Sequence, residues 1–204
     1  MSIVSRNRRA LDEHFKSLDP KLVANSLLLM LDIDHFKAIN DTHGHEAGDA
    51  VLCWFSAQVK QQLRDTDIFA RIGGEEFVVY CANIEENNAI RMAERIRSHV
   101  ADGESVYGEI TVNVTVSICA VYTGQPLVQP LSRYKNIADK LLYMAKSSGR
   151  NRVVWSNCTL SVYLARPGNL IPPFQHRSLR LCLRFLRKLN YRAFVIIQHR
   201  SGKK

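Results

Sequence analysis

The chain has 204 residues and a formal net charge of +9, long enough to bury one good core. No run of eighteen apolar residues occurs, which argues against a transmembrane helix, and Met1-Ser2-Ile3-Val4-Ser5 lacks the apolar stretch of a secretory leader. The basic balance is local: residues 158–204 hold ten of the 28 Lys and Arg and none of the 19 acidic residues, leaving 18 basic against 19 acidic before them, so nucleic-acid binding is not expected of the main body.

In chain order, a short helix is expected around Arg9 to Ser17. Ser26 to Leu31 is a continuous apolar run, the pattern of a strand buried on both faces, and it ends at Asp32-Ile33-Asp34. A polar loop from Asp34 to Asp49 precedes residues 47, 50, 51, 54, 55, 59 and 63, whose apolar spacing is helical. Two β-prone runs, Ile68 to Ile72 and Val78 to Tyr80, flank Gly73-Gly74-Glu75-Glu76-Phe77 and predict a hairpin whose glycines let backbone approach a ligand. A helix is expected from about Glu85 to Val100. Strict alternation from Thr111 to Ile118 predicts a strand with one covered face. A helix through Ile137, Leu141, Leu142 and Ala145 ends near Ser147-Ser148-Gly149, and Asn151 to Trp155 is a short last strand. This order predicts an α+β fold with a mostly antiparallel central sheet flanked by helices. Cys53, Cys81 and Cys119 lie in apolar surroundings and are expected to be buried free thiols of a reducing cytoplasm, and five scattered cysteines argue against a zinc site.

Several of these residues carry chemistry. Asp32 at a strand end and Glu75 in a turn converge if the first strand lies beside the hairpin. Hard oxygen donors of this kind suit Mg²⁺ or Mn²⁺, completed by substrate phosphates. Taken singly, Asp32 reads more readily as a plain strand terminus and Glu75 as a solvated turn residue. The density of polar groups from Asp34 to Asp49 exceeds what a connection needs. Lys37 suits phosphate as a point charge. Asn40 and Asp49 supply acceptors for the paired N–H donors of a guanine edge. His43 and His45 admit a zinc reading, but a clear third ligand is missing. Glu76 reads as a metal ligand, a base or a structural acid, and Phe77 as a core residue.

Taken together, Asp32-Ile33-Asp34-His35-Phe36-Lys37, Asn40-Asp41, His43-Gly44-His45, Gly48-Asp49, Arg71 to Phe77 and Ala145 to Asn151 resemble a GGDEF domain of the diguanylate cyclase family, in its GGEEF form. The resemblance covers roughly residues 7 to 155. It implies a nucleotidyl-cyclase-like palm over residues 1–156, with residues 157–204 as a basic extension, and a cytoplasmic enzyme that condenses two GTP into cyclic di-GMP across a homodimer. Asp32, the Ile33 carbonyl and Glu75 would hold the metal, while Asn40, Asp49 and His45 would contact the nucleotide. Lys37 would stabilise transition-state charge, Glu75 and Glu76 would serve at the reacting hydroxyl, and Lys146 and Arg150 would clamp the outer phosphates. Arg64-Asp65-Thr66-Asp67 matches the family's RxxD inhibitory motif, so Arg64 and Asp67, with Arg95, would bind cyclic di-GMP as a feedback inhibitor. The bland alternative for this segment is an ion pair at a helix end.

The chain matches the family's opening DxLTGLxNRR segment only at Asn7-Arg8-Arg9, so the brace that segment makes near the inhibitory site is expected to be missing. A catalytically idle cyclic di-GMP binding module and an inactive fragment are the alternatives to a working cyclase. The tail, with Leu179 to Leu189 basic and apolar, fits contact with an anionic membrane or a nucleic acid, but reads more readily as a non-homologous extension with little fixed structure.

Overall fold

The computed structural model describes residues 22–124 and 131–157, together with Arg6, Asn7, Leu11, Glu13 and Asp19. The helix expected at Arg9–Ser17 lies largely outside the described residues, and the basic tail lies wholly outside them. Six strands form one sheet: β1 (Arg6–Asn7), β2 (Ser26–Ile33), β3 (Ile68–Arg71), β4 (Glu76–Ala82), β7 (Val116–Thr123) and β8 (Val153–Asn157), in the order β1-β3-β4-β2-β7-β8. A separate hairpin joins β5 (Glu104–Tyr107) to β6 (Ile110–Asn113). Helices α1 (Phe36–His43), α2 (His45–Gln61), α3 (Glu86–Ala101) and α4 (Leu131–Ser147) complete the described fold. The three central pairings are antiparallel and the two outer ones, β1 with β3 and β7 with β8, are parallel. The α+β expectation is therefore met by a mixed sheet.

The two faces of β2 explain its unbroken apolar run. Leu27, Leu29, Leu31 and Ile33 point into a core shared with Phe55, Val59 and Ile96 of α2 and α3. Leu28 and Met30 point the other way, towards Leu11 and the α4 residues Ala138, Leu141, Leu142 and Ala145. A period of two divides one run between two cores, so from Leu27 to Leu31 no face is left for a polar residue, and the buried Ser26 that opens the strand shares a hydrogen bond with the Tyr80 hydroxyl at 3.2 Å. Phe77 belongs to the first core, stacked 5.5 Å from Phe69 and tilted 4.9 Å from Phe55 between ring centroids.

Three expectations need correction. The polar stretch after β2 is mostly helix α1, joined to α2 through Gly44 at φ +82, a left-handed conformation that suits glycine. The segment Thr111–Ile118 divides: β6 stops at Asn113 and β7 begins at Val116, buried along its whole length. The break is at Thr115, whose carbonyl accepts the Asp34 N–H (2.9 Å) and whose hydroxyl donates to Asp34 Oδ2 (2.8 Å), which takes it out of the alternating ladder. Cys81 and Cys119 are buried, but Cys53 is exposed on the outer face of α2. No helix among the described residues is long and apolar enough to cross a membrane.

Candidate active site at one end of the sheet

The C-terminal end of β2 lies between the start of β4 and the start of β7. Asp32 is paired with Glu76 across β2 and β4, and the Ile33 N–H donates to the Glu75 carbonyl at 3.2 Å. The strand and the hairpin are thus neighbours, and their acids meet at an end of the sheet, on its interior strands. Lys146 reaches over from α4 and places Nζ 2.8 Å from Asp32 Oδ2. Asp32 is 3% exposed. Burial pushes its pKa up to about 6 from 3.8; the Lys146 hydrogen bond and charge pull it down, and Glu75 and Glu76 push it up. Its second oxygen, Oδ1, is buried with no hydrogen-bond partner.

A half-satisfied carboxylate beside two more acids is unfavourable for a protein alone and favourable for one that meets a cation. The residues present therefore fit a divalent ion held by Asp32, the Ile33 carbonyl and Glu75 with help from substrate oxygens. No group of three or more His, Cys, Asp or Glu that could hold a metal ion by itself occurs among the described residues.

The hairpin holds its shape differently from what Gly-Gly suggests. Neither Gly73 nor Gly74 adopts a positive φ. At Gly73 a Cβ would meet Glu76 Oε2 at 2.5 Å and push that carboxylate aside, whereas a Cβ on Gly74 would point into open space. The turn closes through Ile72 N–H and Gly73 N–H, both donating to the Glu76 carbonyl (2.9 and 3.3 Å). Arg71 Nε donates to the Gly73 and Gly74 carbonyls (both 3.1 Å), and its Nη2 to the Gly74 carbonyl at 2.7 Å. Arg71 is thus a brace for the tip, a role that its place beside the glycines did not reveal.

Helices α1 and α2 follow directly from β2 and border the same end. Lys37, His45 and Asp49 are exposed, and Asn40 is half-buried. The Asn40 amide lies against Gly48, where any Cβ would overlap its Oδ1. Gly48 therefore lets α1 close on α2, bringing Asn40 beside the helical turn that carries His45 and Asp49. His43 is exposed at the end of α1, and the zinc reading gains no third ligand among the described residues. Glu46 accepts a hydrogen bond from the Tyr107 hydroxyl of the β5–β6 hairpin at 2.7 Å.

The segment that carries Arg150 is built on a turn. Gly149, Arg150 and Asn151 follow α4 with φ values of +111, +60 and +41, and for the two non-glycine residues this costs on the order of 1 kcal/mol each. Asp34, buried at 3% exposure, accepts from the Asn151 N–H at 3.0 Å, the Ser117 hydroxyl at 2.7 Å and the Thr115 hydroxyl at 2.8 Å. Asp34 was missed as a structural centre. The alternation of Asp32-Ile33-Asp34 could have suggested two acids of different role on one face, but only the fold supplies the donors.

Arg64, Asp67 and Arg95 do not join this group. β3 begins opposite Tyr80, near the far end of β4 from Glu76, so the Arg64–Asp67 segment lies towards the other end of the sheet. Asp67 Oδ2 accepts the Arg64 backbone N–H (2.9 Å), Asp67 N–H donates to the Arg64 carbonyl (3.0 Å), and Arg95 Nη2 donates to the Gln62 carbonyl (2.9 Å). The contact is a turn rather than a side-chain ion pair. It holds the exposed Arg64 near the residue that Arg95 reaches.

Residues 6–152 match the family model described as diguanylate cyclase, GGDEF domain. Diguanylate cyclase A of Treponema denticola is 44% identical over 133 residues, 65% of this chain and 36% of that protein. Among solved structures, the active GGEEF domain of a diguanylate cyclase from Vibrio cholerae is similar with a TM-score of 0.65 and 29% identity, covering 74% of this chain and 96% of that one. The coiled coil and GGDEF domain of DgcB from Caulobacter crescentus, in complex with c-di-GMP, gives a TM-score of 0.65 at 27% identity over 73% of this chain and 80% of that one. The chain spans less than half the length of the curated relatives it matches, between 28% and 47%.

Proposed function

The chain belongs to the GGDEF domain family of diguanylate cyclases, and on that premise we propose that it condenses two GTP into cyclic di-GMP and two pyrophosphates across a homodimer. The observation that carries this reading is the meeting of Asp32, with its unpartnered oxygen, Glu75, Glu76 and Lys146 at the end of the sheet that α1 and α2 border. Each half-site takes one GTP. Asn40 and Asp49 accept the guanine N–H donors, and His45 contacts the nucleotide from the first turn of α2. Lys146 and Arg150 meet the outer phosphates, and Lys37 faces the charge that develops in the transition state.

The 3′-hydroxyl of one GTP attacks the α-phosphorus of the other. A P–O bond forms, the bond to the bridging oxygen of pyrophosphate breaks, and the hydroxyl proton passes to a hairpin carboxylate, Glu75 or Glu76. The same step in the opposite sense closes the ring. A bound Mg²⁺ or Mn²⁺, held by Asp32, the Ile33 carbonyl and Glu75, would neutralise charge on the phosphates and acidify the hydroxyl. One half-site holds only one substrate, so turnover needs two copies facing each other. Arg64, Asp67 and Arg95 bind the product and restrain that meeting. GTP as substrate places the reaction in the cytoplasm.

Purified protein incubated with GTP and Mg²⁺ tests the proposal. Cyclic di-GMP should form at a rate that rises with the square of protein concentration at low concentration, and Asp49→Ala and Glu75→Ala should abolish it. Cyclic di-GMP binding without turnover would replace this reading with that of a binding module, and full activity of either variant would overturn the site.

A further inference from the structure

Among the described residues, Gly149, Arg150 and Asn151 are the only three successive residues with positive φ, and side chains from three separate parts of the chain hold them. Asp34, at the end of β2, takes the Asn151 N–H at 3.0 Å. Arg97, on α3, donates from Nη1 to the Asn151 side-chain oxygen at 2.9 Å, while its Nε is tied to Glu94 at 2.8 Å. Arg152 donates from Nε to the Arg150 carbonyl at 3.0 Å and lies under Gly149, where a Cβ would meet its Nη2 at 3.1 Å. A left-handed arginine persists only where its surroundings over-determine it, and here the backbone N–H, the backbone carbonyl and the neighbouring amide are each fixed from a different direction. Helix α4 needs none of this to stop: the Arg150 N–H already donates to the Ala145 carbonyl at 3.0 Å.

We infer that Asp34 and Arg97 are positioning residues for triphosphate recognition. They hold the 149–151 turn so that Arg150 projects beside Lys146 and Asp32 instead of relaxing into solvent. The inference rests on the proposed reading of the site as one that binds GTP. Arg97 acts through Asn151 and Arg150 and does not itself meet substrate. Its removal should therefore weaken the hold on the outer phosphates and spare the guanine end. Displacement of a charged clamp by an ångström is enough to lose about tenfold in affinity or more.

The test is calorimetric binding of α,β-methylene GTP, which cannot turn over, and of GMP, which has no outer phosphates, in the presence of Mg²⁺. It is made on the full chain, on Arg97→Ala and Arg150→Ala, and on the double variant. Arg97→Ala should weaken the triphosphate about tenfold, leave GMP unchanged, and add little once Arg150 is gone, as expected of residues acting as one unit. Amide exchange is the second readout. The Asn151 N–H should lose protection in Arg97→Ala, and more in Asp34→Asn, while the Ile118 N–H, bonded to the Arg152 carbonyl at 2.9 Å, stays protected and reports an intact sheet. Unchanged triphosphate affinity in Arg97→Ala, an equal loss of GMP, or full additivity with Arg150→Ala would overturn the inference alone. Wild-type protein that binds neither nucleotide would overturn the functional reading and this inference with it.

Discussion

Replacing Asp32 by Asn removes a charge that the fold holds at a cost. The folded pKa of about 6 lies roughly two units above 3.8, so keeping Asp32 ionised above pH 6 costs folding about 3 kcal/mol at 1.36 kcal/mol per unit. An asparagine avoids that cost and still offers Lys146 an acceptor, but its amide N–H₂ has no partner where Oδ1 now has none, a loss of about 1 kcal/mol. The net expectation is a gain of about 2 kcal/mol at pH 7.5, or some 4–8 °C in Tm for a domain of this size, accompanied by loss of activity. The sign runs with the proton. A group whose folded pKa is raised stabilises the fold once protonated, so wild type gains about 3 kcal/mol on the variant as pH falls from about 6 to about 4, which closes the gap and leaves wild type ahead by about 1 kcal/mol. Urea unfolding of both proteins between pH 4 and 8, with chelator and without nucleotide, measures it. A variant less stable than wild type at pH 7.5, or a gap that stays constant down to pH 4, would refute the assignment of burial as the dominant influence on Asp32.

Gly48→Ala should displace the Asn40 amide and raise the KM for GTP by about tenfold or more, while the melting curve moves little because alanine improves helix propensity by about 1 kcal/mol; steady-state kinetics beside a thermal melt checks both. Arg71→Ala frees the Gly73 and Gly74 carbonyls, and since Arg71 is exposed the stability change should stay within about 1 kcal/mol while kcat falls; a parallel loss of both would mean that the brace is structural. Phe77→Ala leaves a void between Phe55 and Phe69 and should cost about 3–5 kcal/mol, read from the denaturation midpoint.

The sequence by itself was enough for most of the elements and for the kinds of chemistry they could carry. The apolar run Leu27 to Leu31 reads as an interior strand, since a period of two must serve two cores at once. The spacing of Ala47 to Val59 and of Ala89 to Val100 pointed to amphipathic helices, and the acids, the lysines and the Gly-Gly turn suggested the phosphate-and-cation site proposed here, in the order in which the family carries them. Local pattern failed where a distant partner sets the conformation. Thr115 leaves an alternating run because Asp34 claims its hydroxyl. Gly73 leaves room for the Glu76 carboxylate and does not make a left-handed turn. Cys53 is exposed although apolar residues flank it in sequence. Tertiary structure alone decided which groups touch. Strand order β4-β2-β7-β8 brings Lys146 onto Asp32 and Asn151 onto Asp34, pairs more than a hundred residues apart for which no periodicity codes. Burial then raises one acid of the Asp32-Ile33-Asp34 triplet towards neutrality and binds the other into the frame, because the electrostatics of a carboxylate are set by the atoms packed around it rather than by its neighbours along the chain.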